Sequence, residues 1–186
     1  HPVAHSFPTR RSSDLAVNTL LINGLGVQRP ATVAAELIEH GEVRGVRLDA
    51  TEAMGAMRDG PVARFAGRLI LLLGPDAALV IDQVRLHQYG RVESRFHTSA
   101  ELTLGDDRAD IRGTKARATL TFASDVQADL HYGIDPLTTP TPVFHMARWV
   151  SKKLVHDATL AALISRDPEA RIEIADSADG PEQTVA

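Results

Sequence analysis

One alternating segment, RVESRFHT (Arg91–Thr98), carries the side chains best suited to bind an anionic ligand. Successive side chains of a strand point to opposite faces, so Glu93, Arg95 and His97 share one face. Because a guanidinium group pairs well with a carboxylate, we predict that these three residues bind substrate in a groove for an acidic sugar. The alternative is a solvated strand face, with cross-strand ion pairs worth roughly a few tenths of a kcal/mol each.

A single carboxylate, Asp82, interrupts the apolar run ALVIDQV (Ala78–Val84). One interpretation is a functional buried acid, since burial changes the protonation chemistry of a carboxyl group. The other is a structural carboxylate near a turn that accepts hydrogen bonds from backbone amides. The sequence leaves both interpretations open.

Aromatic and imidazole side chains occur together in two further segments. His145 and Trp149 share one face of VFHMARWV (Val143–Val150), where an exposed Trp could stack on a sugar, although a lone Trp is more often a core anchor. His131 and Tyr132 would offer an acid–base pair, but neighbours on a strand point apart. The sequence contains no Ser-His-Asp pattern, phosphate-binding glycine loop or His-x-x-x-His motif, and we predict no catalytic residue.

Composition excludes several classes of protein. The 186-residue chain has no cysteine, which excludes disulfides, thiolate catalysis and cysteine-based zinc sites. Its net charge is −4 and it has no basic stripe, so nucleic acid is not expected as a partner. The longest apolar stretch is interrupted by Gly74-Pro75-Asp76 and is too short to span a membrane.

The elements that must position these residues are predicted to be strands. Asn23-Gly24 is a strong hairpin signal because both residues tolerate positive φ. Apolar runs on both sides of Gly74–Asp76 predict a central hairpin buried on both faces. Gly105–Asp107 predicts a further hairpin. Many short strands joined by tight turns indicate an all-β fold, an antiparallel β-sandwich of about ten or more strands.

Two segments are less clear in their pattern. ATVAAELIEH (Ala31–His40) contains Ala and Glu, which favour a helix, but we interpret it as a strand or a mixed segment. RIEI (Arg171–Ile174) alternates and is predicted to be the last strand.

The two ends of the chain do not resemble parts of a folded domain. HSFPTRRSSDL (residues 5–15) matches the translation of a common sequencing adapter at eleven consecutive positions. We therefore expect residues 1–16 to be a non-native, disordered tail, with the true N-terminus missing. The β-sandwich domain is expected to span residues 17–175, and the small, polar residues 176–186 to form a flexible tail.

Four segments occur in an order that points to a known family. NTLLINGLGVQ (Asn18–Gln28), LDATEAM (Leu48–Met54), GRLILLLGPDAALVIDQV (Gly67–Val84) and RVESRFHT follow one another. They resemble, in the same order, segments of the C-terminal β-sandwich of heparinase II/III-like polysaccharide lyases. The resemblance extends from about Asn18 to Ile174.

The resemblance implies a parent enzyme that cleaves acidic polysaccharides by β-elimination, in which a base removes the C5 proton of a uronic acid. The family's Tyr and His catalysts lie mainly on an N-terminal α/α-toroid, which is missing here. The chain itself is therefore expected to be non-catalytic and to support that toroid. Its parent is expected in the periplasm or outside the cell. The alternatives are a free-standing carbohydrate-binding module and a purely structural sandwich.

The resemblance also bears on metal binding. In relatives, a His directly before Asn-Thr helps to bind zinc together with a His and an Asp from upstream strands. Val17 stands at that place here. Zinc needs three or four ligands, so we predict neither a metal site nor another cofactor.

Overall fold

A computed structural model describes residues 18–27, 33–54, 61–134 and 144–175. Within these ranges it contains twelve strands and no helix. The strands are β1 (Leu20–Ile22), β2 (Ala34–His40), β3 (Val43–Asp49), β4 (Ala63–Leu73), β5 (Ala77–Gly90), β6 (Val92–Thr98), β7 (Glu101–Leu104), β8 (Arg108–Arg112), β9 (Arg117–Ser124), β10 (Ala128–Ile134), β11 (His145–Ser151) and β12 (Val155–Ser165).

The strands form two antiparallel sheets. The smaller sheet has the order β1-β6-β11-β10, and the larger has the order β2-β3-β4-β5-β12-β9-β8-β7. Apolar side chains from both sheets form one core, with Leu86 of β5, Leu160 of β12 and Val92 of β6 each at most 2% exposed. The predicted antiparallel β-sandwich of about ten or more strands is therefore confirmed.

Aromatic side chains connect the sheets in the middle of this core. The rings of Phe122 on β9 and Trp149 on β11 stack with centroids 5.3 Å apart, and Phe96 on β6 meets Phe122 edge-on at 5.7 Å. Such pairs add about 0.5–1.5 kcal/mol beyond the area that they bury. Trp149 is 7% exposed, so its interpretation as a core anchor is confirmed.

The Asn23-Gly24 turn fastens β1 to the start of β6. Both residues have positive φ, 53° and 77°, and the turn closes through two hydrogen bonds between Ile22 and Leu25 of 2.9 and 3.0 Å. Asn23 also receives the Arg91 backbone N–H on its side-chain oxygen at 2.9 Å and donates its own N–H to the Arg91 carbonyl at 2.8 Å. The predicted turn thus also fixes the register between two strands.

Three predicted elements can be compared directly with the structure. The segment whose Ala and Glu residues favour a helix contains strand β2, because pairing with β3 from Ala34 to His40 outweighs helix propensity. The prediction that the β4–β5 hairpin is buried on both faces is wrong at its tip, where Leu72 is 53% exposed. The strand predicted at Arg171–Ile174 is also wrong, since these residues pair with none of the described strands.

Several expectations fall outside the described ranges. They concern the tail at residues 1–16, the polar residues 176–186 and the metal argument at Val17. They remain predictions.

Asp82 binds the two sheets together through a polar cluster in the core. Its carboxylate is 1% exposed and accepts two hydrogen bonds from Arg68 on β4, 2.6 Å from Nε and 2.7 Å from Nη2. Ser94 on β6 donates its hydroxyl to the same carboxylate at 2.6 Å. Arg68 also donates from Nη1 to the backbone carbonyl of Asn18 at 2.8 Å. We call Arg68, Asp82 and Ser94 the inter-sheet clamp.

Both interpretations of Asp82 are wrong, as the contacts of the inter-sheet clamp show. The carboxylate is paired with a guanidinium group, so it is not an isolated functional acid. Its recorded partners are side chains of β4 and β6, so it is not a carboxylate held by turn amides. The sequence could not show this, because Asp82 meets Arg68 only through the β4–β5 register and Ser94 only through the packing of the sheets.

We expect Asp82→Asn to destabilise the chain by about 3–5 kcal/mol, because removing one partner of a buried ion pair leaves the other charge uncompensated. Chemical denaturation followed by tryptophan fluorescence measures this free energy of unfolding. Asp76→Asn is the matched control, since Asp76 pairs with Arg166 at 3.0 Å on the surface and such pairs contribute about 0–1 kcal/mol.

A triple variant, Arg68→Met with Asp82→Leu and Ser94→Ala, should regain most of the stability lost in Asp82→Asn, because apolar replacement of a buried polar cluster is often nearly neutral. An Asp82→Asn variant as stable as the wild type would contradict the assigned role of the clamp.

Candidate functional site

The predicted binding residues lie in a charged cluster on the face of the smaller sheet that points away from the inter-sheet clamp. Arg148 of β11 lies directly opposite Arg95 of β6, and Glu93 lies diagonally from Arg148. Arg148 donates from Nε to the Glu93 carboxylate at 2.6 Å and from Nη2 at 3.0 Å. Arg95 donates its Nε–H to the same carboxylate. One carboxylate thus holds two guanidinium groups, and we call Glu93, Arg95 and Arg148 the arginine–glutamate triad.

Burial distinguishes the members of this triad. Glu93 is 5% and Arg95 is 7% exposed, whereas the Arg148 side chain keeps 34% of its surface accessible. The face is therefore not solvated at Glu93 and Arg95, although the cross-strand ion pair that the alternative predicted does occur, between Arg148 and Glu93. Two cations and one anion leave an excess of one positive charge, and the accessible part of that charge lies on Arg148.

The protonation equilibria follow from the same contacts. Burial raises the pKa of Glu93, but the hydrogen bonds from Arg148 and Arg95 outweigh burial and leave the pKa below its ordinary value. The hydrogen bond to Glu93 raises the pKa of Arg148 further, against the opposing effect of burial. Glu93 and Arg148 therefore both favour their charged forms.

His97 lies on the same face as the triad, opposite Met146 of β11. Its backbone N–H donates to the Asn18 side-chain oxygen, which connects β6 to the segment before β1. Substrate binding by Glu93, Arg95 and His97 stays a prediction. Glu93 and Arg95 bind each other and are buried. Sequence reasoning missed Arg148, since only the β6–β11 register brings it to Glu93.

Tyr132 does contact a histidine, but this histidine is His145 on the adjacent strand and not its sequence neighbour His131. Tyr132 on β10 and His145 on β11 approach to 2.6 Å between the Tyr132 hydroxyl and His145 Nδ1. They are diagonal neighbours across the strands, since Tyr132 lies opposite Ala147. His131 lies opposite Arg148 instead, which agrees with adjacent side chains pointing apart. Tyr132 is 45% exposed, so part of the pair lies at the surface.

Two kinds of feature are absent from the described parts of the chain. No group of three or more His, Asp or Glu side chains is placed there to hold a metal ion. No helix in these ranges is long and apolar enough to cross a membrane.

We expect Glu93→Gln to lower the free energy of unfolding by about 3–5 kcal/mol, because it leaves the buried Arg95 without a counter-charge. At about 2–4 °C per kcal/mol for a chain of this size, the melting temperature should fall by about 6–20 °C. Glu36→Gln is the matched control: Glu36 contacts Arg47 at 3.9 Å with both side chains more than half exposed. A loss as small as that of the control would contradict the structural role of the triad.

The same variant should also show the effect of pH. Because the pKa of Glu93 is lowered in the folded state, its contribution is fully present above the unfolded-state pKa and is lost as pH falls through the folded-state pKa. The difference in stability between wild type and Glu93→Gln should therefore be constant near neutral pH and shrink below the ordinary pKa of glutamate. Urea denaturation across acidic pH measures it, and a difference that grows on acidification would contradict the lowered pKa.

Comparison with solved structures identifies the fold. Heparinase III superposes with a TM-score of 0.59 at 12% sequence identity, over 80% of this chain and 23% of heparinase III. Heparan sulfate lyase from Pedobacter heparinus gives a TM-score of 0.59 at 10% identity, over 81% of this chain and 24% of the lyase. A further heparinase III gives 0.58 at 10% identity, with 80% and 23% covered.

The chain therefore spans about a quarter of the length of these structures. No model of a known protein family matches the chain, and no curated protein matches it either. The resemblance to the C-terminal β-sandwich of heparinase II/III-like lyases is confirmed at the level of the fold.

Proposed function

We propose that this chain is the C-terminal β-sandwich domain of a heparinase II/III-like polysaccharide lyase. The observation that carries the proposal is the match of four-fifths of the chain to about a quarter of heparinase III. The four sequence segments that resemble the family support it independently, because they recur in the same order from Asn18 onward. The parent enzyme would act on uronic-acid-containing polysaccharides by β-elimination, in the periplasm or outside the cell.

Within that parent, the role of the sandwich is to brace an α/α-toroid and to form one wall of the substrate cleft. Abstraction of the C5 proton needs a base and a group that neutralises the uronate carboxylate, and the resemblance places these groups on the toroid. The inter-sheet clamp and the arginine–glutamate triad give the sandwich fixed strand registers, which suit a rigid support. The chain alone is therefore non-catalytic.

The test compares this chain with the longer gene product that includes its upstream sequence. Both proteins are incubated with heparan sulfate, chondroitin sulfate and alginate, and ultraviolet absorbance reports the double bond of the unsaturated product. We expect product from the longer protein and none from this chain. Activity of this chain that survives repurification would show that the sandwich carries its own base and would contradict the proposal.

The gene sequence upstream of this chain provides a second test of the proposal. An α/α-toroid encoded directly before the sandwich supports the lyase. A stop codon or an unrelated domain at that place would instead favour the free-standing carbohydrate-binding module.

A further inference from the structure

Strand β5 pairs irregularly with both adjacent strands, β4 and β12, next to Arg85. On the β4 side, Ala63 pairs with Leu86 and Phe65 with Arg85, so Arg64 is an extra, bulged residue. On the β12 side, Val155 pairs with Gly90 and Asp157 with Arg85, so the four residues 86–89 of β5 oppose His156 alone. Bulges often occur next to functional sites, where they redirect side chains.

A groove of about 570 Å³ lies at this double irregularity, within the usual size range of small-ligand sites. It opens on the face of the larger sheet that points away from the core: Arg85 is exposed there, whereas its neighbours Val84 and Leu86 are at most 2% exposed. The side chains that we consider for binding are Arg64, Phe65, Gln83, Arg85 and His156. We call this feature the bulge groove.

The cations of the bulge groove are available for an external ligand. Arg64 and Arg85 are exposed, and neither forms an ion pair with any residue of the described ranges. The acidic side chains of the groove are engaged. Asp125 accepts the backbone N–H of Thr159 at 2.7 Å, and Asp157 contacts His156 Nδ1 at 3.3 Å. Both carboxylates keep their negative charge, but neither forms an ion pair with Arg64 or Arg85. The guanidinium groups of these two arginines therefore keep N–H donors for a ligand.

One exposed aromatic side chain lies next to the groove, in contact with His156. The Tyr89 ring contacts the His156 ring edge-on with centroids 5.7 Å apart, and Tyr89 is 69% exposed. Phe65 lines the groove on the β4 side. Gln83 and Thr159 add neutral polar groups that suit hydroxyl partners. The groove thus combines two guanidinium groups with neutral hydrogen-bonding groups, and an exposed ring lies next to it. This combination matches a saccharide that carries an acidic substituent.

We infer that the bulge groove binds an acidic saccharide unit, with Arg64 and Arg85 pairing its carboxylate or sulfate and Tyr89 packing against its ring. The choice of a saccharide rests on the proposed function, whereas the choice of an anion rests on the two unpaired arginines. Each guanidinium group offers paired N–H donors to an oxyanion. The site is distinct from the arginine–glutamate triad, which lies on the other sheet.

The test measures binding of defined oligosaccharides to this chain by isothermal titration calorimetry. The probes are a sulfated heparan oligosaccharide, an unsulfated uronate oligosaccharide and a neutral glucose oligosaccharide of equal length. We expect at least one acidic probe to bind. The neutral probe should bind at least tenfold more weakly than that acidic probe. The sulfated and unsulfated probes distinguish sulfate from carboxylate as the recognised group.

The decisive variant is Arg64→Gln with Arg85→Gln, for which we expect at least a tenfold loss of affinity. The matched control is Arg44→Gln with Arg112→Gln, which removes the same charge from exposed arginines outside the groove and should leave affinity within twofold. Tyr89→Ala should weaken binding while removing no charge. Thermal melting of each variant verifies that it is folded.

Three results would overturn the inference: no binding of acidic probes by the wild type, an unchanged affinity in the groove variant, or an equal loss in the control variant. The last result would indicate nonspecific attraction by surface charge. Failure here is separable from failure of the proposed function, because lyase activity of the longer gene product is measured independently of the groove.

Discussion

The buried charge of Asp82 is the constraint on which the arrangement of the two sheets depends. A carboxylate at the centre of an apolar sandwich is tolerated only when its lone pairs are satisfied, and here Arg68 and Ser94 satisfy them from two directions. Because Ser94 belongs to the smaller sheet and Arg68 to the larger, the requirement fixes how one sheet lies over the other. The contact of Arg68 with Asn18 extends that constraint to the segment before β1.

The requirement that a buried charge be paired also applies to the other face of strand β6. Ser94 points into the sandwich while Glu93 and Arg95 point away from it, and both faces carry buried polar groups. Glu93 binds Arg148 across the strands, which ties β6 to β11 in one register. A one-residue slip would separate both sets of partners at once. Strand β6 is therefore specified from two sides, more strongly than its short length suggests.

Strand β5 combines this rigidity with an irregular segment. Its first half pairs regularly with β4 and β12 around Asp82, whereas its second half loses register on both sides near Arg85. The regular half holds the sheets together, and at the start of the irregular half Arg85 is exposed and forms no ion pair with the described residues. This division is common in proteins, where a scaffold with satisfied polar groups supports a small region whose groups remain available to a ligand.

The sequence by itself determined the class of fold, because turns such as Asn23-Gly24 and the alternation of Arg91–Thr98 depend on local backbone geometry alone. It also indicated the family whose sandwich this fold resembles, since the ordered segments are local patterns. Tertiary structure decided the partners of the charged residues. Asp82 and Glu93 each take an arginine from another strand, and no local pattern encodes which strands pair or in which register. The bulge groove is likewise invisible in sequence, because a bulge is a mismatch between two strands rather than a property of one.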